Sequence, residues 1–492
     1  MASEHVVAID IGTQSTRAAL VDQEGNVLDL AASPVELHAP RSGWAEQDPE
    51  QWWETTVANI ATVVSRHPEV RAAAVGVGAQ MHSLVACQAN GDLAVPRSAI
   101  WSDKRCLDQV SEFQARPDAA ELARLAGNQP LPAWAGFKMA WLRAHEPSAY
   151  EAAATLLVAK DFLNLRLCGV RATDPSEASG SFLYDSTSGA WSEELTAALG
   201  IDRAKLPEIA DSADVIGTVT PDVAERTGLR AGTPVVAGAG DMMCQLLAAG
   251  VSLPGRVGLV AGTASIVAAA AGAVSSDPRV MNLRSASGCW IHFGISDAAG
   301  QSFRWFLDEL FGSSGGFDAA VTEAAKVEPG CGGLLFFPYL LGERTLGSPL
   351  SRASFAGATL RHGRGHFARA VMEGITFEDK RALDAICPDG APGPVRVTGG
   401  GAGSDLWNQI RADVFGGPVR ALELTEGGIL GAAILAAVGA GWYPDAATGA
   451  DQMVRLAEVR VPSDESAALC ARAYRNFCAV HDALQPVWAS WE

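Results

Sequence analysis

The amino-terminal part of the chain alternates between apolar stretches and short polar turns. Residues 6–10 (VVAID) and 16–22 (TRAALVD) are mostly apolar, and the segment IGTQS separates them. Apolar runs bounded by Gly, Ser and Asn predict two strands joined by a tight turn, and EGN at 24–26 predicts a further hairpin. The chain is therefore expected to begin with consecutive β-strands.

A helix is predicted to begin near residue 48. Asp48 is a favoured N-cap, Pro49 fits the first helical position, and Trp52 and Trp53 supply an apolar face. The continuous apolar run AAAVGVG at 72–78 predicts a buried strand. Strands that alternate with helices in this way indicate a mixed α/β fold.

One short pattern occurs twice. Residues 9–16 read IDIGTQST and residues 259–266 read LVAGTASI, so each copy is an apolar strand, a Gly-Thr-x-Ser turn and a second strand. The two glycines are 250 positions apart (262 − 12), about half of the chain. This separation favours two similar halves that meet at a cleft. The copies differ where Asp10 in the first corresponds to Val260 in the second.

Composition and charge narrow the class of protein. The length of 492 residues suggests two to four domains, since a domain usually has roughly 100–200 residues. The apolar fraction of 48% is enough for large cores. The net charge of −19 would repel a phosphate backbone, which argues against nucleic-acid binding. Nine cysteines without a CxxC pair argue against a disulfide framework or a zinc ribbon. The first ten residues do not resemble a signal peptide, and we expect a cytoplasmic protein with no membrane partner.

The Gly-Thr turns are candidate phosphate sites. Glycine exposes backbone N–H groups, and the Thr13 hydroxyl adds a donor. Arg17 could add positive charge, and Asp10, at the end of the first strand, could hold Mg²⁺ through water. For one copy alone, a plain hairpin whose Asp caps the turn is the simpler interpretation.

Residues 395–416 read as a strand, a Gly-rich loop and a helix. A helix N-terminus behind such a loop favours nucleotide binding. A dinucleotide-binding unit would look similar, and Glu423 lies near the expected ribose-binding distance, but Ser404 occupies the place of its third glycine. A turn without any ligand remains a third interpretation.

Asp241 follows an apolar strand and a Gly-rich bend. A carboxylate in that place could accept a proton from a substrate hydroxyl, although it could also simply cap the following helix. Met81 and His82 follow the buried strand at 72–78, where ligands collect in α/β sheets. Trp101 and Asp103 belong to a polar-aromatic cluster that would suit a sugar site or a core.

Two kinase classes are excluded by their missing motifs. The chain has no GK dipeptide, and therefore no P-loop. It has neither an HRD nor a DFG triplet, which argues against a protein kinase.

In combination, these segments resemble the FGGY family of carbohydrate kinases. The resemblance runs from residue 6 to about residue 440, and its most specific motifs are WAEQDPEQWW at 44–53 and PYLLGERT at 338–345. The other motifs, in the order that the family shows, are DIGTQSTR (10–17), GAQMH (78–82), WSDKR (101–105), WAGFKMAWL (134–142), AKDFLNLRL (159–167), GAGDMM (238–243), GTAS (262–265) and GGGAGS (399–404).

The resemblance implies two actin/hexokinase-like (ribonuclease H-like) domains with a cleft between them. We expect an N-terminal sugar-binding domain at 1–240, a C-terminal nucleotide-binding domain at 241–445 and a helical tail at 446–492 that packs on the body. The implied cofactors are ATP and Mg²⁺, and the implied partners are a small sugar and ATP. A homodimer is left open.

The resemblance also assigns roles by position. Asp241 would be the catalytic proton acceptor, and Asp10 would serve the magnesium. The residues implied at the sugar are Met81, His82, Trp101, Asp103, Asp241 and Met242. The residues implied at the nucleotide are Thr13, Gln14, Arg17, Gly262, Thr263, Gly300, Gly400, Gly401 and Ser404.

The implied activity is transfer of phosphate from ATP to the terminal hydroxyl of a ketopentose, and D-xylulose is the first candidate substrate. One departure bears on the substrate: Met242 stands where such kinases usually carry Asn, and a thioether is a much weaker hydrogen-bonding group than an amide. A kinase for another ketose or polyol, of the ribulose, glycerol or erythritol type, is therefore the leading alternative. An actin-like nucleotide-switched binding protein and an NAD-dependent oxidoreductase are the alternatives from other classes.

Overall fold

A computed structural model describes residues 4–312, 316–343, 348–423 and 426–491. Arg344 and Thr345, at the end of the PYLLGERT motif, lie outside the described residues. The chain forms two compact units. The first unit comprises Met1–Leu253, Gly272–Ile291 and Glu426–Val454, and the second comprises Pro254–Ala271, His292–Thr425 and Arg455–Glu492.

The secondary structure alternates between strands and helices along the chain, as the sequence predicts. The strands are β1 (Glu4–Ile11), β2 (Ser15–Val21), β3 (Val27–Pro34), β4 (Glu46–Gln47), β5 (Arg71–Ala79), β6 (Val85–Cys87), β7 (Ser98–Ala99), β8 (Thr155–Leu157), β9 (Ala172–Thr173), β10 (Tyr184–Asp185), β11 (Ala190–Trp191), β12 (Glu208–Ile209), β13 (Val215–Thr218), β14 (Pro234–Val236), β15 (Ala239–Gly240), β16 (Val257–Ala261), β17 (Ser265–Ala271), β18 (Met281–Arg284), β19 (Trp290–Ser296), β20 (Leu335–Phe337), β21 (Ser354–Ala356), β22 (Val395–Thr398) and β23 (Val419–Ala421).

The α-helices are α1 (Pro49–Arg66), α2 (Leu107–Gln114), α3 (Ala119–Ala126), α4 (Ala135–His145), α5 (Pro147–Ala152), α6 (Ala159–Cys168), α7 (Pro175–Ser179), α8 (Glu193–Leu199), α9 (Pro221–Thr227), α10 (Asp241–Ala248), α11 (Ala299–Trp305), α12 (Gly316–Ala324), α13 (Arg364–Ile386), α14 (Asp405–Phe415), α15 (Gly427–Gly439), α16 (Ala446–Met453) and α17 (Asp464–Ala489). Short 3₁₀ segments occur at Arg203–Lys205, Cys331–Gly333 and Gly400–Gly403, and a π-helical turn occurs at Phe306–Phe311. Among the residues that the structure describes, no helix is both long and apolar enough to cross a membrane.

The sheet of the first unit is mixed. Its strands follow the order β13, β14, β5, β1, β2, β3, and β15 also pairs with β5. β1 runs antiparallel to β2 across the tight turn and parallel to β5 after the α1 crossover. The predicted start of α1 is confirmed, because Asp48 Oδ1 accepts a hydrogen bond of 2.9 Å from the Glu50 backbone N–H and Pro49 is the first helical residue.

The second unit repeats this local arrangement. β16 is antiparallel to β17 across the Gly262–Thr263 turn and parallel to β22. β22 in turn pairs with β23, and β19 lies on the other side of β17. β16, β17 and β22 therefore reproduce β1, β2 and β5, which confirms that the repeated sequence pattern marks a repeated strand–turn–strand unit.

Two helices that follow the predicted domain boundary in the sequence belong to the first unit of the structure. The sequence placed a boundary at residue 240, yet α10 and α15 belong to the first unit. The two helices pack on each other, and α15 also packs on β1 and β5. The predicted C-terminal helix is present as α17, whose Phe477 and Trp488 lie in the aromatic core of the second unit.

Candidate active site

Asp241 lies where β15 ends and α10 begins. Gly240 occupies the N-cap position, so Asp241 is the first helical residue and does not cap the helix. Its Oδ1 accepts a hydrogen bond of 2.7 Å from the Met242 backbone N–H, and the carboxylate also accepts one from the Met81 backbone N–H. Burial, with the charge of Asp10 in addition, raises the pKa of Asp241 to about 7. A carboxyl group with this pKa can accept a proton near neutral pH.

Asp10 lies near the end of β1, cross-strand from Arg17 on β2. Burial raises its pKa to about 6, against the lowering effect of Arg17, whose Nη1 is 3.9 Å from Asp10 Oδ2. The first turn of α15 comes close to this carboxylate, because a β-carbon on Gly428 would lie only 2.8 Å from Asp10 Cγ. Asp10 is thus a confined oxygen donor at the strand end.

Glu426 is a site residue that the sequence did not indicate. Its Oε2 accepts a hydrogen bond of 2.6 Å from Arg17 Nη1, and its charge contributes to the raised pKa of Asp10. The two partners are 409 positions apart in the chain. Glu426 directly precedes the glycine pair that begins α15, and only that local signal could have pointed to it.

The first Gly-Thr turn is held by side chains from two other segments. Thr13 Oγ1 accepts a hydrogen bond of 3.1 Å from Trp101 Nε1, and the Thr13 carbonyl accepts one of 2.7 Å from Gln47 Nε2. Gln14, at the tip of the turn, is exposed. Trp101, which was expected at the sugar, therefore directly contacts a residue expected at phosphate, and its side chain keeps an exposed face.

Asp103 has a different environment from the one expected. Its side chain has no exposed surface, and it accepts hydrogen bonds from the Ala45 backbone N–H at 2.6 Å and from Arg105 Nε at 2.8 Å. The Arg105 guanidinium in turn stacks 3.7 Å above the Trp44 ring. This geometry disfavours the predicted direct sugar contact of Asp103 and makes it a support for the segment that carries Trp101.

His82 follows β5 with a left-handed backbone, at φ 64°. Its Nδ1 is 2.9 Å from the Gly180 carbonyl oxygen. Because a carbonyl only accepts, Nδ1 must carry the proton and Nε2 is left as an acceptor. Burial and the nearby Lys138 lower the pKa of His82 to about 3, so the ring is neutral. The Met81 side chain is buried, and it packs on Gly240.

In the second unit, the segments expected at the nucleotide converge on one turn. The backbone N–H groups of Gly300 and Gln301 donate to the carbonyls of Gly262 and Thr263 at 3.2 and 3.1 Å. The loop of Gly400 and Gly401 lies beside the end of β16, since a β-carbon on Gly401 would be 3.1 Å from Ala261 Cβ. The fold of this unit thus brings together backbone segments that are up to 140 residues apart.

Two buried charged residues support these segments and were missed by sequence reasoning. Asp379 accepts a short hydrogen bond from Ser265 Oγ, next to the Gly262–Thr263 turn. Arg411 Nη1 donates to the Gly401 carbonyl at 2.8 Å. The Ser404 hydroxyl caps α14 by accepting from the Trp407 backbone N–H at 3.3 Å. Asp379 and Ser265 are 114 positions apart in the chain, and the local pattern therefore gave no signal for Asp379.

Two mixed α/β units, each with a Gly-Thr turn between strands and the first with carboxylates at its strand ends, are the features of the actin/hexokinase-like class of proteins. The model of the N-terminal domain of the FGGY family of carbohydrate kinases matches residues 5–248, and that of the C-terminal domain matches residues 257–440. The chain belongs to this family. It is therefore a carbohydrate kinase that transfers phosphate from ATP, and the actin-like and oxidoreductase alternatives are wrong.

Curated relatives and solved structures agree with this assignment. The chain is 32% identical to the xylulose kinase of Bacillus subtilis over 481 residues, covering 94% of each chain. It is 27% identical to the gluconokinase of Bacillus licheniformis, covering 94% of this chain and 93% of the relative. The crystal structure of xylulose kinase from Rhodospirillum rubrum superposes with a TM-score of 0.91 at 31% identity, covering 99% of this chain and all of that one.

Proposed function

We propose that the protein phosphorylates the terminal primary hydroxyl of D-xylulose to give D-xylulose 5-phosphate, with Asp241 as the proton acceptor. The observation that carries the proposal is the place of Asp241: a carboxylate at a strand end, with pKa raised to about 7, in a chain 32% identical to a xylulose kinase. A base whose pKa lies near the working pH combines basicity with a useful ionised fraction.

Asp241 acts on the sugar, and the transferred group needs little covalent help from the protein. The substrate hydroxyl gives its proton to the Asp241 carboxylate while its oxygen attacks the γ-phosphorus of ATP and ADP leaves. In-line placement and neutralisation of phosphate charge supply the rest of the acceleration. The hydrogen bonds from Met81 and Met242 hold the carboxylate in one orientation.

Asp10 is the residue we assign to Mg²⁺. The group fits here because a confined carboxylate with a pKa raised to about 6 gains from a cation, and hard oxygen donors are what Mg²⁺ prefers. Within the described residues no three metal-ligating side chains cluster, so phosphate oxygens and water would complete the shell. When bound, Mg²⁺ neutralises phosphate charge.

The remaining residues divide between the two substrates. We assign Thr13, Gln14 and Arg17 to the ATP phosphates from the first unit. We assign Gly262, Thr263, Gly300, Gly400, Gly401 and Ser404 to ATP from the second unit. His82, whose Nε2 is an acceptor, and Trp101, with its exposed face, are assigned to the sugar.

Met242 supports a second candidate function. Its side chain is buried, with 9% exposed, and it offers a thioether where an amide would bind a hydroxyl. A substrate that lacks a hydroxyl at this position would lose less binding energy than D-xylulose, whose hydroxyl would be left unpaired. Since a gluconokinase is among the relatives, a kinase for another ketose, polyol or sugar acid is the alternative.

A coupled assay of ADP release, with a panel of pentuloses, hexuloses, polyols and gluconate, tests both candidates. D-xylulose should give the highest kcat/KM, and the product should be D-xylulose 5-phosphate by mass and by NMR. A different sugar preferred by more than tenfold would favour the second candidate. ADP release at the same rate with and without each of these sugars would contradict both candidates.

The cellular setting follows from the same proposal. ATP and a free sugar meet in the cytoplasm, and we place the protein there. A homodimer stays a prediction, which light scattering on the purified full chain would test.

A further inference from the structure

One short buried segment contacts both the residue before Asp241 and the sugar-site residue His82. It runs from Asp174 to Gly180 and contains α7, whose residues Ser176 to Ser179 are all buried. Asp174 caps α7, since its Oδ2 accepts a hydrogen bond of 3.1 Å from the Ser176 backbone N–H. No residue of this segment has a role in the phosphoryl transfer proposed for Asp241.

The first contact of the segment is with the strand that carries Asp241. Ser176 Oγ accepts a hydrogen bond of 3.0 Å from the Gly240 backbone N–H, and Gly240 directly precedes Asp241. A buried backbone N–H that lost this acceptor would have to find another or move, because an unpaired buried N–H is unfavourable. The hydroxyl of Ser176 therefore fixes the peptide from which Asp241 projects.

The second contact is with His82. Glu177 Oε2 accepts a hydrogen bond of 3.3 Å from the His82 backbone N–H, and the Gly180 carbonyl accepts a hydrogen bond of 2.9 Å from His82 Nδ1–H. His82 holds a positive φ that non-glycine residues rarely adopt, and such a conformation persists only where its surroundings enforce it. The segment holds both the backbone and the ring of His82.

The segment itself is anchored by a buried ionic network. Lys160 Nζ is 3.3 Å from Asp174 Oδ1 and 2.6 Å from Asp161 Oδ1, and Ser212 Oγ donates to Asp174 Oδ2 at 2.8 Å. Each of these four side chains is at most 4% exposed. Asp174 thus has an ion-pair contact with Lys160 and a hydrogen bond from Ser212, and these contacts with separate parts of the chain anchor the segment.

We propose that Ser176 and Glu177 are positioning residues for phosphoryl transfer: Ser176 fixes the proton acceptor Asp241, and Glu177 fixes the sugar-binding His82. Through its anchoring, the segment then sets the spacing between these two groups. The inference rests on the proposed roles of Asp241 and His82.

The two contacts predict different kinetic effects. Loss of the Ser176 hydroxyl frees the peptide before Asp241, and a shift of about 1 Å at a reacting group costs on the order of 10²-fold in rate. We expect Ser176→Ala to lower kcat by about 10–100-fold and to change KM for the sugar little. Loss of the Glu177 acceptor frees His82, so Glu177→Met should raise KM for the sugar by about tenfold and lower kcat less.

Glu177→Gln separates hydrogen bonding from charge. Burial and the neighbouring Asp174 and Asp161 raise the pKa of Glu177 well above its usual value. Within the described residues its Oε1 has no hydrogen-bond partner, so an amide nitrogen there displaces nothing. Gln keeps an oxygen for the His82 N–H, and we expect its KM to stay within about threefold of the wild type.

Ser181→Ala is the matched control. Ser181 is a buried serine just beyond the segment, and within the described parts of the chain its hydroxyl bonds only to near neighbours, the Ala178 carbonyl at 2.6 Å and the Leu183 N–H at 3.0 Å. All four variants are assayed as the full chain with the sugar that the wild type phosphorylates fastest, and thermal unfolding is followed for each. Ser181→Ala should keep kcat and KM even if its Tm falls.

The outcomes distinguish the inference from the proposed function. Equal kinetic losses in Ser181→Ala and Ser176→Ala would overturn it, because a general loss of packing would then explain both. A Glu177→Gln variant as impaired as Glu177→Met would overturn the role of Glu177, because the loss would then not depend on acceptance of the His82 N–H. Unchanged kinetics in Ser176→Ala and Glu177→Met would also overturn it. A wild type without kinase activity on the whole sugar panel would instead contradict the proposed function.

Discussion

Replacing Asp241 by Asn is the substitution whose consequences the structure constrains most. Asn keeps an oxygen that can accept the Met242 N–H at the position of Oδ1, so the local backbone should be retained. It removes the charge and the basic oxygen. We expect kcat for sugar phosphorylation to fall by about 10²–10⁴-fold, the usual scale for loss of a general base, while MgATP binding persists.

The same substitution should stabilise the folded protein at high pH. A pKa raised from 3.8 to about 7 means that the ionised carboxylate of Asp241 destabilises the folded state relative to the unfolded state. The cost is about 4 kcal/mol, at 1.36 kcal/mol per pKa unit. The sign follows from linkage: the cost is absent below pH 4, grows through the window from pH 4 to 7 and is complete above it. Asp241→Asn should therefore unfold at a higher temperature than the wild type at pH 8 and at a similar temperature at pH 4.

The pH dependence of activity gives a third readout. The wild-type kcat/KM should rise with pH through about pH 7, as the Asp241 carboxyl loses its proton, and this limb should vanish from the residual activity of Asp241→Asn. Asp222→Asn is the control, since Asp222 also lies in the first turn of a helix but is exposed. Wild-type turnover in Asp241→Asn would remove Asp241 from the mechanism, and no gain in stability at pH 8 would refute the argument from burial.

Three further substitutions test separate parts of the site. Met242→Asn should raise the preference for D-xylulose over its best competitor by about tenfold in kcat/KM, and an unchanged ratio would place Met242 in packing alone. Thr263→Ala should weaken MgATP use while calorimetry shows sugar binding unchanged; a lost sugar site would contradict the assignment. Gly180→Ala should raise KM for the sugar, because a β-carbon there would lie 2.5 Å from His82 Cε1. Gly272→Ala, where a β-carbon meets open space, is its control, and equal effects of the two would count against the clash.

The sequence by itself determined the local elements and the class of protein. The apolar runs around IGTQST and AGTASI predicted two strand–turn–strand units, and β1–β2 and β16–β17 confirm them. These predictions succeed because strand periodicity, turn residues and helix caps act within a few positions of each other. The ordered motifs indicated the carbohydrate kinase family for the same reason: each motif is contiguous.

Only the tertiary structure decided how distant residues share the site. Glu426 reaches Arg17 across 409 positions, Trp101 bonds to Thr13 across 88, and Ser176 bonds to Gly240 across 64. Asp103, which the sequence assigns to the sugar, has no exposed surface and accepts a hydrogen bond from Arg105, a contact that its sequence pattern did not indicate. A hydrogen bond depends on distance and direction in space, and a local pattern of apolar and polar residues carries neither for partners so far apart in the chain. Packing of α10 and α15 on the first sheet, for the same reason, could not be read from their place in the sequence.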